Sequence, residues 1–549
     1  MTRAGRYTSL AFVVWVLVGV VFLVPTLEHA SPERIEALVG QPPELVLRFV
    51  RNLVARVGLA LALLALVVGL GPRRLGLTPF FERFVGPARP SVLGFLRFAT
   101  ASILLVSTLW EDVAGVADVP ASMRRAHGLF ALVAALPGWD SFVSSASALT
   151  GFHVVTSLVL LAAALGLFSR VTVPLGAALY FVVAGLMRQP TWPYHTGLVP
   201  LYAMVVLAFF RTGDGFSLDA WRRGHGRPEA EAHYGWGRFA WVATLALPYA
   251  EAGLSKLCNG GLLWWEPVNM RAILYLDSLN PMEFDFDLGL AAAPLPDVFF
   301  AMLGLAAVGG EVAMLFVLFS RRVRLVAPAV MFGMHVGILF LQNILFFDLL
   351  GMLAATYVMA YFDRDGGPWD LVSFVRRRAR EPRAQVLHEV APEEGRVATS
   401  LPRAMPVALG VALVAWTFAI ELFPFTAMQM YSHKRDTGVV DYYRITAIDG
   451  DGRRTEERPE RVMPALRDGR YRRVLRACVE TTPPRECDDF LAALLTRRSA
   501  EGVTAYEVEH LRWDFAHHPD APREEVAARY RFPARIATDA RVVESTAGL

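Results

Sequence analysis

The run Leu247-Pro-Tyr-Ala-Glu-Ala-Gly-Leu-Ser-Lys-Leu257 sets a carboxylate and an amine in an otherwise apolar stretch. Ionisable groups in such surroundings are costly to bury, so Glu251 and Lys256 are candidates for chemistry. A lysine at the end of an apolar run often only reaches for the nearest aqueous boundary, here with Glu251 as its structural partner. Residue usage argues against that for Lys256. The chain has 54 Lys and Arg together, yet only Lys256 and Lys434 are lysines. Where a positive charge alone is needed, this sequence uses arginine. A guanidinium keeps its proton in proteins, whereas a buried amine can release its proton and act as a base. Lys256 is therefore the first candidate base.

Further polar groups fall in or beside apolar runs: His153, His195, Glu311, His335 and Asp348. Each taken singly reads as a satisfied structural residue; taken together they could line one cavity. The segment Trp192-Pro-Tyr-His195 enters an apolar run from the side on which Lys256 ends, as a shared site requires. Motifs of soluble catalysis are missing: there is no HExxH, CxxC, GxSxG or Walker A loop. His517-His518 is too isolated to argue for a metal, and Asp449–Gly452 lacks the spacing of a calcium loop.

The elements that carry these residues are set by hydropathy. The chain has 549 residues, 54% hydrophobic and 19% charged. A membrane span takes about 20 mostly apolar residues. Candidate spans are Ser9–Leu27, Leu53–Gly71, Val92–Trp110, Ser147–Phe168, Val171–Met187, His195–Phe210, Phe239–Leu257, Val298–Phe319, Leu325–Leu341, Asn343–Tyr361 and Met405–Phe423. Several are short, so the expected fold is an all-α polytopic membrane bundle of about 9–11 spans. The first block has no clear cleavage site and reads as an anchor. Pro248 and Gly253 are expected to break or loosen the Phe239–Leu257 helix.

Loop charge gives the orientation. Arg3 and Arg6 precede the first span, Arg73, Arg74, Arg83 and Arg89 follow the second, and Arg170, Arg211–Arg227, Arg321–Arg324 and Arg376–Arg380 recur in alternate loops. The intervening loops are acidic or mixed, as at Glu266, Asp277, Glu283, Asp285 and Asp287. The positive-inside rule then puts the N-terminus in the cytoplasm and the C-terminal segment outside it. A net charge of +3 with no nucleic-acid motif gives no reason to expect nucleic acid as a partner.

The expected organisation is a helical domain over 1–425, with a linker at 362–403, and a small α+β extracytoplasmic domain over 426–549. Within the tail, Gly438–Ala447 and Thr504–Trp513 read as strands, Met463–Cys478 and Asp488–Arg497 as helices. An oxidising compartment makes a Cys478–Cys487 disulfide an expectation, with two free thiols as the alternative.

Ala252-Gly-Leu-Ser-Lys-Leu257, followed by Trp264 and Trp265, resembles the signature of the vitamin K-dependent gamma-carboxylases. Bacterial relatives of these carry the same HTTM (horizontally transferred transmembrane) domain. Thr191-Trp-Pro-Tyr-His195 resembles the Thr/Ser-Trp-x-x-His segment of that family. Gly213–Trp221, Glu311, Phe332-Gly-Met-His335 and Pro424–Ser432 fall in the order of further landmarks. Tyr194 stands where the animal enzymes have Asn, and the tail resembles only the first part of their luminal portion.

The resemblance implies a bacterial cytoplasmic (inner) membrane enzyme, a gamma-glutamyl carboxylase-like lyase and quinol epoxidase. Its co-substrate would be a reduced vitamin K or menaquinone-type naphthoquinone, used with O2 and CO2; no metal is expected. Lys256 and His195 would be catalytic, while Trp192, Tyr194, Tyr249, Glu251, Trp264, Trp265 and His335 would hold quinone or substrate. Partners would be membrane lipid, quinone and a glutamate-containing peptide or protein. The alternatives are a non-catalytic quinone- or lipid-binding membrane protein and, further off, a transporter or assembly factor.

The orientation carries a direct test. A periplasm-active reporter fused after Leu549 is expected to be active, and a cytoplasm-active one silent.

Overall fold

The computed structural model describes residues 3–29, 31, 43–70, 84–191, 196–224, 231–280, 284–363, 414–426, 431–435, 437–480, 484–518 and 525–533. The chain is mostly helical, with a small sheet near its C-terminal end. Helix α1 (Arg3–Val16) runs through a π-helical stretch at Leu17–Leu23 into Val24–Glu28 and lies against α2 (Pro43–Leu70). Gly19 permits that approach, since a Cβ there would come within 2.5 Å of Val54.

The central helices are α3 (Pro90–Trp110), α4 (Ala146–Leu165), α5 (Ser169–Met187), α6 (Leu198–Leu207), α7 (Ala232–Gly260), α8 (Pro267–Leu279), α9 (Asp297–Ala313), α10 (Arg321–Gln342) and α11 (Phe347–Phe362). Among the described residues six helices are long and apolar enough to cross a membrane: Ser9–Glu28, Pro90–Asp118, Ala146–Leu165, Ser169–Met187, Asp297–Leu318 and Arg321–Gln342. Two more, α6 and α11, are apolar but shorter. Their outer faces leave Val154, Leu158, Val171, Val298 and Val326 exposed, an arrangement that water disfavours and hydrocarbon accepts. These apolar helices suggest a membrane protein.

One expectation changes here. Pro248 does not end its helix: α7 is continuous from Ala232 to Gly260, its axis buried on nearly all sides by neighbouring helices. Packing of that kind compensates the one backbone hydrogen bond a proline removes. Residues 405–413 of the last expected span, Met405–Phe423, lie outside the described residues, as does the 362–403 linker beyond Asp363. From Val414 the chain runs through a short hairpin, β1 (Glu421–Leu422) and β2 (Phe425–Thr426).

The tail forms one antiparallel sheet in the order β4-β3-β5-β6, from β3 (Val439–Asp449), β4 (Arg454–Glu456), β5 (Val503–Asp514) and β6 (Glu525–Phe532). Residues facing each other across the central pair, such as Val440 and Trp513, point one apolar layer at α8. Tyr275 of α8 meets Trp513 at 5.2 Å and Phe515 at 5.1 Å. Charge pairs add to the contact: Arg470 reaches Glu111 at 2.9 Å, and Arg125 reaches Glu486 at 2.9 Å. The tail is therefore docked on the helices.

The expected Met463–Cys478 helix is divided. A helical turn at Pro459–Val462 and a 3-10 turn at Pro464–Leu466 precede α12 (Arg472–Cys478), because Asp468 and Gly469 adopt positive φ of 57° and 67°. No helix continues through the left-handed region. The second helix, α13 (Arg485–Arg498), is joined to α12 by a Cys478–Cys487 disulfide. Both cysteines are fully buried.

With a separation of 9 residues, that bridge should stabilise the tail by about 2–3 kcal/mol in the chain-entropy model. Mass spectrometry of unreduced protein is expected to show the two peptides linked, and the Cys478→Ser/Cys487→Ser protein to unfold its tail at lower denaturant. Free alkylation of both thiols without reductant would contradict this.

Candidate functional site

Lys256 lies one turn before the end of α7 and faces α9. Gly253 lets those helices close up: a Cβ there would stand 3.0 Å from Glu311 Cβ and 2.9 Å from Val312. The approach brings Lys256 Nζ to 2.7 Å from Glu311 Oε1. Lys256 is 4% and Glu311 6% exposed, so this is a buried ion pair. Lys256 also lies 5.4 Å from the centre of the Trp264 ring, on whose face a cation is favoured. The Trp264 indole N–H is fixed by the Tyr431 carbonyl at 2.9 Å, and its own carbonyl accepts from Asn269 Nδ2 at 2.6 Å.

The preceding residue, Ser255, anchors the same turn. Its hydroxyl accepts from Arg56 Nη2 and from Trp416 Nε1, each at 3.1 Å. Arg56 is wholly buried, donates to the Trp416 carbonyl at 2.6 Å and stacks on that ring. Three separate parts of the chain thus set the position of the helix end that carries Lys256.

Opposite the ion pair, the Tyr249 hydroxyl and His335 Nε2 are 2.6 Å apart. Asp348 Oδ2 accepts from the Gly197 backbone N–H at 2.7 Å. All of these side chains line one cavity of about 80 Å³, whose remaining wall is largely apolar: Val199, Ala252, Met334, Ile338, Phe346 and Leu349. His335 is 3% and Asp348 1% exposed. Three of the polar wall residues each keep one atom without a hydrogen-bond partner: Glu311 Oε2, His335 Nδ1 and Asp348 Oδ1. Buried polar atoms are normally satisfied, so three on one cavity call for a molecule that supplies the missing contacts. The two carboxylate oxygens ask for donors.

Several candidate residues are placed elsewhere. Glu251 is not the partner of Lys256. Five residues apart on a helix, the two point about 140° away from each other, whereas pairs three or four apart meet. Trp265 packs on Gly304 of α9 and does not line the cavity. His153 does not line it either. Trp192, Tyr194 and His195 lie outside the described residues, although the following Thr196 and Gly197 reach the cavity wall and Asp348. The other lysine, Lys434, pairs with Glu266 at the surface. Among the described residues no three His, Cys, Asp or Glu side chains come together as metal ligands would.

Sequence reasoning named Glu311 and Asp348 among the groups that together could line one cavity but gave neither a role in it, and Tyr431 was missed. The signal for Glu311 was its position as the sole acidic residue after the start of an otherwise apolar helix. Compared with protein-family models, curated proteins and solved structures, the chain has no match.

Removing Glu311 would leave a buried ammonium without its counter-charge. Glu311→Ala is expected to cost about 3–5 kcal/mol, read as a large drop in thermal stability in detergent. An unchanged thermal stability would contradict the pairing.

Proposed function

We propose that this chain is a polytopic bacterial cytoplasmic-membrane enzyme that oxidises a reduced naphthoquinone, related in mechanism to the gamma-carboxylases it resembles. The observation that carries this reading is the Lys256–Glu311 pair, facing a cavity with a largely apolar wall and with one carboxylate oxygen unpartnered. The orientation is the one read from loop charge, with the docked tail outside the cytoplasm.

The cavity chemistry suits a hydroquinone. A flat ring matches the apolar wall, and two O–H groups match acceptors at Glu311 Oε2 and Asp348 Oδ1. About 80 Å³ is below the roughly 300–1,000 Å³ of ordinary ligand pockets, so Met334, Ile338 or Phe346 must swing aside to admit a bicyclic headgroup. When bound, the quinol supplies electrons for O2 and, in the family resembled, the base strength that takes a proton from a glutamyl γ-carbon before CO2 adds.

The chain's own residues would set the proton position. As an ammonium, Lys256 has no lone pair. Transfer of one proton across the 2.7 Å contact turns the pair into an amine beside a carboxylic acid. The amine then accepts a proton from a donor in the cavity, and the anion left on that donor balances the new ammonium while Glu311 is the neutral acid. Tyr249 and His335 would fix the far edge of the ring, and the apolar wall would exclude water. His195, two positions before the Gly197 whose N–H Asp348 accepts, is the second catalytic residue that the resemblance implies. A glutamate-containing peptide is the acceptor that the resemblance implies.

Lys256→Arg separates a base from a fixed charge. Arginine can keep the pair with Glu311, so the variant should fold, insert and bind quinone. It cannot give up its proton, so quinol oxidation is expected to fall about 10²–10⁴-fold. Near wild-type turnover would make the site a quinone- or lipid-binding pocket instead.

A further inference from the structure

Arg48, Asn52 and Arg56 follow one another at four-residue spacing along one face of α2. Arg56 Nε donates to Asn52 Oδ1 at 2.9 Å, and Asn52 in turn donates to the Asn259 side-chain oxygen at the end of α7. Asn259 Nδ2 donates to Ser432 Oγ at 2.6 Å. This chain of bonds lays residues 432–435 against the outer part of that face, where Arg48 is the next member. The backbone N–H of Arg435 is held by Asn269 Oδ1 at 2.8 Å.

The charges that His433 meets in this place are all positive. Partial burial, then Arg48 and Arg56 of α2 and Arg435 of its own segment, hold its imidazole below the ordinary value. The neighbouring cations have counter-charges: Arg51 reaches Glu28, and Lys434 pairs with Glu266. Arg435 also feels Asp277, but that carboxylate accepts from the Tyr431 hydroxyl at 3.0 Å. Among the described residues, neither Arg48 nor Arg435 has a carboxylate within ion-pair distance. Like charges held together repel one another, and an anion placed between them turns the repulsion into attraction.

The surroundings say which anion fits. The continuation of α1 exposes Val20, Val21 and Phe22 before Glu28 meets Arg51, and α2 exposes Phe49 beside Arg48. Just beyond Asn259, the turn Gly261–Leu263 exposes Leu262 and Leu263. Apolar side chains thus flank the cations, as they do where hydrocarbon gives way to headgroups. A free phosphate would leave that apolar rim bare, whereas acyl chains would cover it. We infer that Arg48, His433 and Arg435 bind the phosphate of an anionic phospholipid, in the outer leaflet on the orientation read from loop charge. The guanidinium groups would each offer paired N–H donors to phosphate oxygens, and the imidazole one more. A headgroup with its own amine would add a positive charge to this cluster. Phosphatidylglycerol is therefore favoured over phosphatidylcholine.

The test titrates full-length protein, delipidated in detergent, with phosphatidylglycerol, phosphatidylcholine or inorganic phosphate, and reads bound lipid by native mass spectrometry. Wild-type protein should bind one phosphatidylglycerol about fivefold more tightly than phosphatidylcholine, and excess inorganic phosphate should not displace it. Arg48→Gln and Arg435→Gln should each weaken that lipid about fivefold while eluting like wild type on size exclusion. Arg48→Lys keeps the charge and should keep most of the affinity, and Arg222→Gln, on the cytoplasmic side, should leave it unchanged. Wild-type affinity in both glutamine variants would overturn the site, as would equal binding of the two lipids. Displacement of the lipid by inorganic phosphate would overturn the lipid assignment in favour of a free anion.

Discussion

A buried ammonium–carboxylate pair between two apolar helices is the constraint on which the rest of the structure depends. Withdrawing each ion from water costs several kcal/mol, and only close geometry with further contacts offsets it. Gly253 supplies the close geometry by removing the Cβ that would hold α7 and α9 apart. Trp264 supplies a ring face for the ammonium, and Glu311 keeps one oxygen for something else. Replacing the pair by leucines would be the simpler way to pack two such helices. Its presence argues that the charges serve a task beyond folding.

The other parts of the molecule can be understood as fixing that pair in place. Arg56 of α2 and Trp416 of the segment before the tail both close on Ser255, the residue before Lys256. Tyr431 then carries the chain past Trp264 to Asp277, where the sheet docks through Tyr275, Trp513 and Phe515. The tail is thus coupled to the site through short, directional contacts. A movement of the tail sheet on α8 would be felt at the floor beneath Lys256.

Hydropathy and residue usage made Lys256 and its helix legible, since a lysine is conspicuous where nearly every other cation is arginine. The partner was not legible. Local periodicity relates residues three or four apart, while Lys256 and Glu311 are 55 residues apart and meet only because two helices pack. Glu251 was near in sequence but on another side of the helix. In the tail, alternation marked the two central strands, Val439–Asp449 and Val503–Asp514. The edge strand Glu525–Phe532 escaped notice because it is polar and short. Its Arg529 is explained only by Glu507 and Glu509 on the neighbouring strand, which it reaches at 2.9 and 2.6 Å. The division of Met463–Cys478 turned on the backbone at Asp468 and Gly469, which composition weighs too lightly.

The central claim is that the cavity converts a reduced naphthoquinone and not merely holds one. Its most direct test is to follow quinol and O2 consumption by the purified wild-type protein, with and without CO2 and a glutamyl peptide. The claim predicts catalytic loss of quinol and O2 well above a protein-free control, with CO2 incorporated into the peptide if glutamate is the acceptor. Quinone binding with no consumption of quinol or O2 beyond the control would contradict it.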